Sequence, residues 1–443
     1  FKFTPGEDAQ PRWRCPMMTL DSTKDGLRIG SMSMTGMALG GIIGLGGIAA
    51  TVGIDGMGGS ATFWKSYLLG FMAAVGICLG ALFFVMLQHI TKAGWSVTVR
   101  RPAEAIAGNL QWLWILFVPI LVLVWTGKGA VLFEWCDTSY MHSDHVLEGK
   151  IAYLNMTFWS IRAIVYLAVW ALLARFYRSQ SLAQDQDGDY RRTLRMQWWA
   201  PIGIIIYAFT QTFASIDWIM ALQPKWFSTM FGVYWFAVSC TGFFSSLIIL
   251  IVLLRATGHG KQAFTREHIH DLGKLLFAFG VVFWAYIGYS QYMLIWYANI
   301  PIETEWFAPR QLGNWTFVSW LLIIGHFALP FLLLLSRWPK RWSGVLVLIA
   351  LWMLGMFLVD VYWLIMPMVP EAALATATSW DQLQSGVADG TIDIGWNPSV
   401  LNLTAVIGSL GLVICGTFFA LGRASIAPTK DPRLSEAMAF ELF

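Results

Sequence analysis

The chain has 443 residues, of which 57% are hydrophobic and only 12% are charged, with a formal net charge of +3. Soluble domains carry about 25% charged residues, so this composition excludes a soluble globular protein and predicts an integral membrane protein. The five cysteines are scattered, with no C-x-x-C or C-x-x-C-H pair, which disfavours iron–sulfur ligation, a zinc ribbon or covalent haem. We therefore expect no metal or cofactor to be bound by this chain itself.

Ten apolar segments are long enough to cross a membrane as helices, since one span needs about 20 apolar residues. They cover residues 29–54, 66–90, 110–126, 152–176, 199–222, 230–254, 274–299, 315–336, 345–366 and 400–421. The predicted fold is all-α, with a polytopic membrane domain over residues 29–422. A polar segment, residues 1–28, precedes this domain, and a tail, residues 423–443, follows it.

The first span is rich in glycine. Gly36, Gly40, Gly44 and Gly47 have the small-xxx-small spacing that lets two helices approach closely. Phosphate binding is disfavoured because no strand precedes these glycines and no G-K-S/T follows them. We predict that they form a helix-packing surface.

Basic residues concentrate on one side of the predicted membrane domain. Outside the spans, the basic residues expected on the other side are only Lys65, Lys128, Lys150, Lys225 and Arg310. Under the positive-inside rule the basic side is cytoplasmic. Both termini are therefore predicted to face the cytoplasm.

Two long outer loops are acidic. Residues 134–148 contain four carboxylates beside Cys136, His142 and His145, and residues 370–397 contain four carboxylates and no basic residue. Loops of this length are often docking surfaces. We predict that residues 370–397 contact an extrinsic partner, with a solvated connection as the alternative. Three possible ligands on one loop do not make a zinc signature.

A short motif recurs along the chain. The pattern N-x-T-F-x-S opens the fourth span at residues 155–160 and the eighth at residues 314–319. One span later, Asp217 and Asp360 each lie seven residues before a proline. Two matches in the same order predict two parallel four-helix repeats plus flanking helices. The repeats cover about residues 66–222 and 230–366.

Asp217 and Asp360 are carboxylic acids inside predicted spans. Such a group costs about 2.5–3.5 kcal/mol to insert, which favours a functional role. Each lies near the C-terminal, negative end of its helix, where both the macrodipole and burial disfavour the charged form. We predict that both handle protons. The alternatives are a hydrated interfacial side chain or, for Asp217, a structural pair with Arg162.

Other polar side chains complete the candidate proton-handling set. His326 and Arg162 are predicted near mid-membrane, His326 as a proton relay or a satisfied core histidine, and Arg162 as a proton-handling group or a structural counter-ion. Thr210 shares a helix face with Asp217, and Tyr286 and Gln291 line the seventh span, where packing is the alternative. His326 is the only deep histidine, with His89 at a cytoplasmic helix end, so a haem held by two histidines is disfavoured.

Four runs of sequence carry a resemblance to a known family. The runs F-A-S-I-D-W-I-M at 213–220 and W-F-S-T-M-F-G-V-Y at 226–234 resemble the NrfD-like (polysulfide reductase-type) integral membrane subunits of alternative complex III. The runs D-L-G-K-L-L-F-A-F at 271–279 and Y-I-G-Y-S-Q-Y-M-L-I-W-Y-A-N at 286–299 are similar to the second, smaller (ActF-type) of two such subunits.

The resemblance implies a membrane subunit of a quinol:cytochrome c oxidoreductase, in an electron-transport chain of a bacterial inner (plasma) membrane. The implied partners are a multihaem cytochrome c, an iron–sulfur subunit, a monohaem cytochrome c and a paralogous NrfD-like subunit. The haem c groups and iron–sulfur clusters would belong to those partners. The implied fold is two four-helix bundles with flanking helices.

The resemblance bears on quinol as well. Family quinol sites lie near the outer face of the first bundle, with a histidine beside an acid, whereas here Asp217 lies there and His89 at the opposite end. Proton conduction and scaffolding are therefore favoured over quinol or menaquinol binding in this chain. The alternatives are a secondary transporter built on parallel repeats and a purely structural membrane anchor.

Overall fold

The computed structural model describes residues 26–55, 59–368, 379–396 and 398–441. In these ranges the chain is helical without strands, and ten helices of 23 to 33 residues are apolar enough to cross a membrane. We label them α1 to α10: Gly30–Ile54, Ala61–Ile90, Val97–Trp125, Met156–Asp187, Tyr190–Leu222, Phe231–Ala256, Arg266–Ala298, Gly313–Leu335, Ser343–Ile365 and Val400–Gly422. The predicted class, an all-α multi-pass membrane protein, is confirmed.

Several helices extend beyond the apolar segments that predicted them. The helix α2 starts at Ala61, where the Ser60 side chain accepts a hydrogen bond from the Phe63 backbone N–H. The helix α4 continues to Asp187, where Gly188 ends it in the left-handed conformation with φ of 69°. Hydropathy marks where the apolar residues stop, whereas capping and glycine decide where the helix stops.

Three of the ten spans change helix type in their interior, and α5 ends in a 3-10 turn over Met220–Leu222. In α3, a polar helix over Val97–Ala107 is joined by a 3-10 turn to the apolar helix Trp114–Trp125. The helices α7 and α8 contain π-helical segments over Leu276–Phe283 and Leu322–Ala328. The two π-helical segments contain groups of the candidate site described below.

The most buried helices are α2 and α6, which contact each other at the centre of the fold. Helices α3, α4 and α5 pack around α2, α7 and α9 pack on α6, and α8 packs on α7 and α9. The helix α10 packs on α2, and α1 lies outside it with most of its surface exposed. The buried polar sites lie within the two groups α2–α5 and α6–α9.

The glycines of α1 pack against α10 as predicted. A Cβ atom on Gly47 would lie 2.6 Å from the Gly408 Cα, and one on Gly40 would lie 2.6 Å from the Cys415 backbone nitrogen. The ring of Phe418 fills the equivalent position at Gly36. The prediction of a packing surface is confirmed.

Gly47→Leu is expected to separate α1 from α10, because overpacking at this contact costs about 1–3 kcal/mol. Disulfide cross-linking between the two helices should therefore fall about tenfold. The reporter is a cysteine pair at Thr51 and Thr404, whose hydroxyl groups are 2.9 Å apart. Gly46→Leu is the control, since a Cβ atom there meets nothing within 4 Å. Equal cross-linking in both variants would show that the glycine contact does not hold α1.

The two acidic loops contain short helices. Thr138–Met141 and His145–Glu148 lie in the first acidic loop, and Trp380–Ala388 lies in the second. Residues 370–378 and 397 of the proposed docking segment lie outside the described residues, so its contact with a partner stays a prediction.

Candidate functional site

Asp217, near the end of α5, is fully buried and paired with an arginine. Arg162 of α4 donates from Nε to Oδ2 at 2.8 Å and from Nη2 to Oδ1 at 2.9 Å. The Tyr166 hydroxyl group, one turn further along α4, donates to Oδ2 at 2.9 Å. Both carboxylate oxygens are therefore occupied by a bidentate, charge-assisted contact.

The guanidinium of Arg162 is held on every side. Its Nη1 donates to the Tyr153 carbonyl oxygen at 2.9 Å, and its Cζ lies 3.7 Å from the centroid of the Tyr153 ring and 4.3 Å from that of the Phe158 ring. Asp217 and Arg162 therefore form an ion pair, which the sequence analysis gave as the alternative to a proton-handling role. Proton exchange at Asp217 stays a prediction, and it would require that this pair open.

Asp360, at the matching position of α9, is also fully buried but has different partners. The Tyr234 hydroxyl group of α6 donates to Oδ1 at 2.8 Å, and Trp284 Nε1 of α7 donates to Oδ2 at 2.6 Å. Nδ1 of His326, on α8, lies 3.6 Å from Oδ2. Across the described part of the chain, no lysine or arginine lies within ion-pair distance of this carboxyl group.

The contacts of His326 define its tautomer. Its Nε2 lies 3.1 Å from the Gly280 carbonyl oxygen, which can only accept, so Nε2 carries the hydrogen. In the neutral ring, Nδ1 then presents its lone pair toward Asp360 and has no hydrogen-bond partner among the described residues. The ring stacks on Trp284 with centroids 3.9 Å apart and planes 9° apart, which fixes its orientation.

The two π-helical segments bring these groups together. His326 lies in one and Gly280 in the other, and the Gly280 carbonyl also accepts from the Thr241 hydroxyl group at 3.1 Å. Single π-helical turns inside α-helices are frequently found at functional sites. Local composition gives little signal for such a turn, so the sequence did not predict it.

The remaining predicted site residues are not brought together. The Thr210 hydroxyl group accepts from Trp170 Nε1 at 3.0 Å and donates to the Ile206 carbonyl at 2.8 Å, and it does not reach Asp217. Tyr286 points outward with 65% of its surface exposed, away from both carboxyl groups. Gln291 is buried, and its Oε1 has no partner in the described ranges. These three do not line a shared hydroxyl path with Asp217 or Asp360.

Several partners of the carboxyl groups were not predicted from the sequence. Tyr166 follows Arg162 by one helical turn, and Tyr234 ends one of the family-like runs, so weak signals existed for both. Trp284 gave none, since it is one of 25 tryptophans in the chain.

Two basic residues predicted in outer loops are bonded to the ends of the helices that carry the aspartates. Arg310, almost fully buried, donates to the carbonyls of Trp363 at 3.2 Å and Leu364 at 3.1 Å, in the last turn of α9. Lys150 donates to the carbonyls of Pro224 at 2.6 Å and Lys225 at 3.0 Å, just after α5. Burial lowers the pKa of the Lys150 ammonium. Cations at helix C-termini complement the macrodipole.

The sites define a class of protein: a multi-pass membrane protein with a buried aspartate near the C-terminal end of α5 and another near the C-terminal end of α9. Neither a family model nor a curated protein sequence matches the chain. In the described residues, no group of three or more His, Cys, Asp or Glu side chains is arranged to hold a metal ion.

Proposed function

We propose that this chain is a proton-handling membrane subunit of an oxidoreductase, and that the Asp360–His326 pair exchanges the proton. The observation that carries the proposal is a buried carboxyl group 3.6 Å from an imidazole nitrogen, without a fixed cation. Ionisable groups inside a membrane domain are costly, and proton relays are one of their main uses.

The pair has two states that share one proton. Either Asp360 is neutral and its proton points at His326 Nδ1, or His326 is an imidazolium and Asp360 a carboxylate. The Tyr234 and Trp284 donors stabilise the carboxylate, and the Gly280 carbonyl accepts from Nε2 in both states. A transfer therefore needs only a small approach of Nδ1 and Oδ2. Asp217 differs because its partner Arg162 stays charged, so we assign that pair a supporting role.

We further propose that α2–α5 and α6–α9 are parallel repeats with both termini in the cytoplasm. Asp217 and Asp360 lie on the fourth helix of each group, and their partners Arg162 and His326 lie on the third. The serines that end the two N-x-T-F-x-S motifs each accept from a tryptophan Nε1, but the tryptophans lie on non-equivalent helices, α3 and α9, so the support comes from the aspartates and their partners. Ser160 accepts from Trp125 at 3.0 Å, and Ser319 accepts from Trp363 at 2.8 Å.

The resemblance of the runs at 213–220, 226–234, 271–279 and 286–299 favours a particular complex. We propose a quinol:cytochrome c oxidoreductase of the alternative complex III type, in a bacterial inner membrane. This subunit would support proton conduction and scaffolding, and its paralogue would oxidise the quinol. Its partners would be a multihaem cytochrome c, an iron–sulfur subunit and a monohaem cytochrome c. The exposed aromatic face of α7, including Tyr286, Tyr289 and Trp296, suits contact with lipid or another membrane subunit.

A secondary transporter is the second candidate, because parallel repeats and interrupted helices are common in transporters. Such a protein needs a solute site near the middle of the membrane, between its repeats. The crevice of about 480 Å³ between α3 and α4, lined by Trp125, Ser160 and Ile164, lies on the protein surface and is not such a site. Purification separates the two: a transporter is a complete unit, whereas this subunit should co-purify with haem proteins.

Asp360→Asn is expected to assemble normally and to lower proton movement coupled to quinol oxidation about tenfold or more, since the amide cannot exchange a proton. His326→Leu should have the same effect. The measurement is quinol oxidation together with proton movement by the purified complex in vesicles. Met356→Leu, one turn before Asp360 and volume-conserving, is the control.

Parental proton movement in the assembled Asp360→Asn complex would remove the carboxyl group from the proton path. Loss of the assembled complex in both site variants, with Met356→Leu intact, would instead assign the pair a structural role.

A further inference from the structure

Another buried histidine, His89, lies at the cytoplasmic end of α2, away from the Asp360–His326 pair. His89 is almost fully buried, and neither of its ring nitrogens has a hydrogen-bond partner among the described residues. A neutral imidazole always presents one donor and one acceptor, and leaving either unpaired in a buried site is unfavourable. Protein packing alone therefore does not account for this side chain.

Other unpartnered polar atoms lie on the helices packed against His89. They are Gln88 Oε1 of α2, Thr98 Oγ1 of α3, Tyr177 Oη of α4 and Tyr207 Oη of α5, again considering only the described ranges. The Tyr177 ring stacks on the His89 ring with centroids 5.5 Å apart and planes 23° apart. Buried polar atoms in folded proteins are nearly always hydrogen-bonded, so the stacked His89 and Tyr177 rings, both with unpartnered polar atoms, point to a shared ligand.

The Tyr177 hydroxyl group lies against the face of α5 that carries Tyr207. A Cβ atom on Gly203 would lie 3.4 Å from Tyr177 Oη and 3.1 Å from Met86 Sδ, so the Tyr177 hydroxyl group faces α5 at this glycine. Tyr207 lies one turn further along the same helix face. Its ring packs on Phe83 of α2, with centroids 6.1 Å apart. The polar atoms thus follow the interface of α2, α4 and α5 away from the cytoplasm.

A buried charge cluster lies at the cytoplasmic end of this interface. Its members are Arg100, Arg101 and Glu104 of α3, Arg178 and Asp185 of α4, and Asp431 of the C-terminal tail. Arg100 pairs with Asp431 at 2.6 Å, and Arg101 pairs with Asp185 at 2.8 Å and Glu104 at 3.2 Å. Arg178 donates to the Ala420 carbonyl at 2.6 Å. The three arginines and three carboxylates balance in formal charge, so the cluster gives His89 no net counter-charge.

We propose that His89, Tyr177 and Tyr207 surround bound water, and that His89 relays protons between this water and the cytoplasmic face. Water supplies both donors and acceptors, as this mixed set of atoms requires. His89 would accept a proton at one ring nitrogen and release one from the other, with no net change. The relay rests on the proposed function of the chain, whereas the bound water does not.

Hydration is tested by X-ray radiolytic hydroxyl-radical labelling of the intact complex, in which bound water modifies the side chains next to it. Tyr177 and Tyr207 are expected to be modified at least about threefold faster than buried tyrosines whose hydroxyl groups already bond to protein. The controls are Tyr67, which donates to the Leu116 carbonyl at 2.8 Å, and Tyr234, which donates to Asp360. Equal rates for all four tyrosines would overturn the hydrated site.

The relay is tested with His89→Gln, which keeps hydrogen bonding but cannot titrate in this range, and with His89→Phe, which keeps the ring stack. Both are expected to reduce coupled proton movement about tenfold while the labelling of Tyr207 persists. Parental proton movement in either assembled variant overturns the relay and leaves the hydration result standing. The Asp360→Asn experiment fails or succeeds independently, so the proposed function is judged separately.

Discussion

Arg162→Met is expected to destabilise the protein by about 3–5 kcal/mol and to sharply reduce the yield of folded protein, because it leaves the buried Asp217 carboxylate without its charge partner. Asp217→Asn should be similarly damaging, since it leaves the Arg162 guanidinium uncompensated. The pair is bidentate, with both contacts under 3 Å. The measurement is the thermal unfolding temperature in detergent, together with the yield after size-exclusion chromatography.

The double variant Arg162→Met with Asp217→Leu tests why the single variants fail. Replacing a buried ion pair by apolar side chains of similar size is often neutral or stabilising, so stability should return to near the parental value. We also expect it to retain proton movement. A stable double variant without proton movement would support the proton-handling role that the sequence predicted for Asp217. Single variants as stable as the parent would show that the pair contributes little.

Arg310→Met is expected to cost several kcal/mol, because each hydrogen bond from a charged donor is worth about 1.5–3 kcal/mol and three would be lost. The guanidinium donates to the carbonyls of Trp306, Trp363 and Leu364, and it lies 3.3 Å from the Trp306 ring. The last carbonyls of α9 have no partner within the helix, so removing the cap leaves them unsatisfied. Urea or thermal unfolding would measure the loss.

Arg310→Lys should retain only part of the stability, since an ammonium group can neither reach three carbonyls in one plane nor stack as a guanidinium does. Lys128→Met is the matched control, because Lys128 is an exposed basic residue predicted on the same side of the membrane, and its change should be within about 0.5 kcal/mol of the parent. If Arg310→Met has the same unfolding temperature or urea midpoint as the parent, the contacts at the end of α9 add nothing to stability.

The membrane helices and their packing surface were predictable from local sequence. Ten apolar segments gave ten helices, and the glycines of α1 indicated close packing before their partner, α10, was known. The helix ends were less accurate, because polar turns such as the one ending at Asp187 remain helical outside the apolar region. Within the candidate site, the two aspartates were found from the cost of a carboxyl group in a membrane span.

The sequence by itself determined that Asp217 and Asp360 would be buried at matching positions, because hydropathy and helix periodicity are local properties. Only the tertiary structure decided that one meets an arginine and the other a histidine. Each partner comes from another helix, Arg162 at 2.8 Å from Asp217 and His326 at 3.6 Å from Asp360. Their meeting depends on how helices distant in sequence pack, and in the second group on two π-helical segments. The two aspartates have similar local sequences but different electrostatic environments. Each aspartate's own helix places it inside the membrane domain, whereas a helix distant in sequence provides its partner.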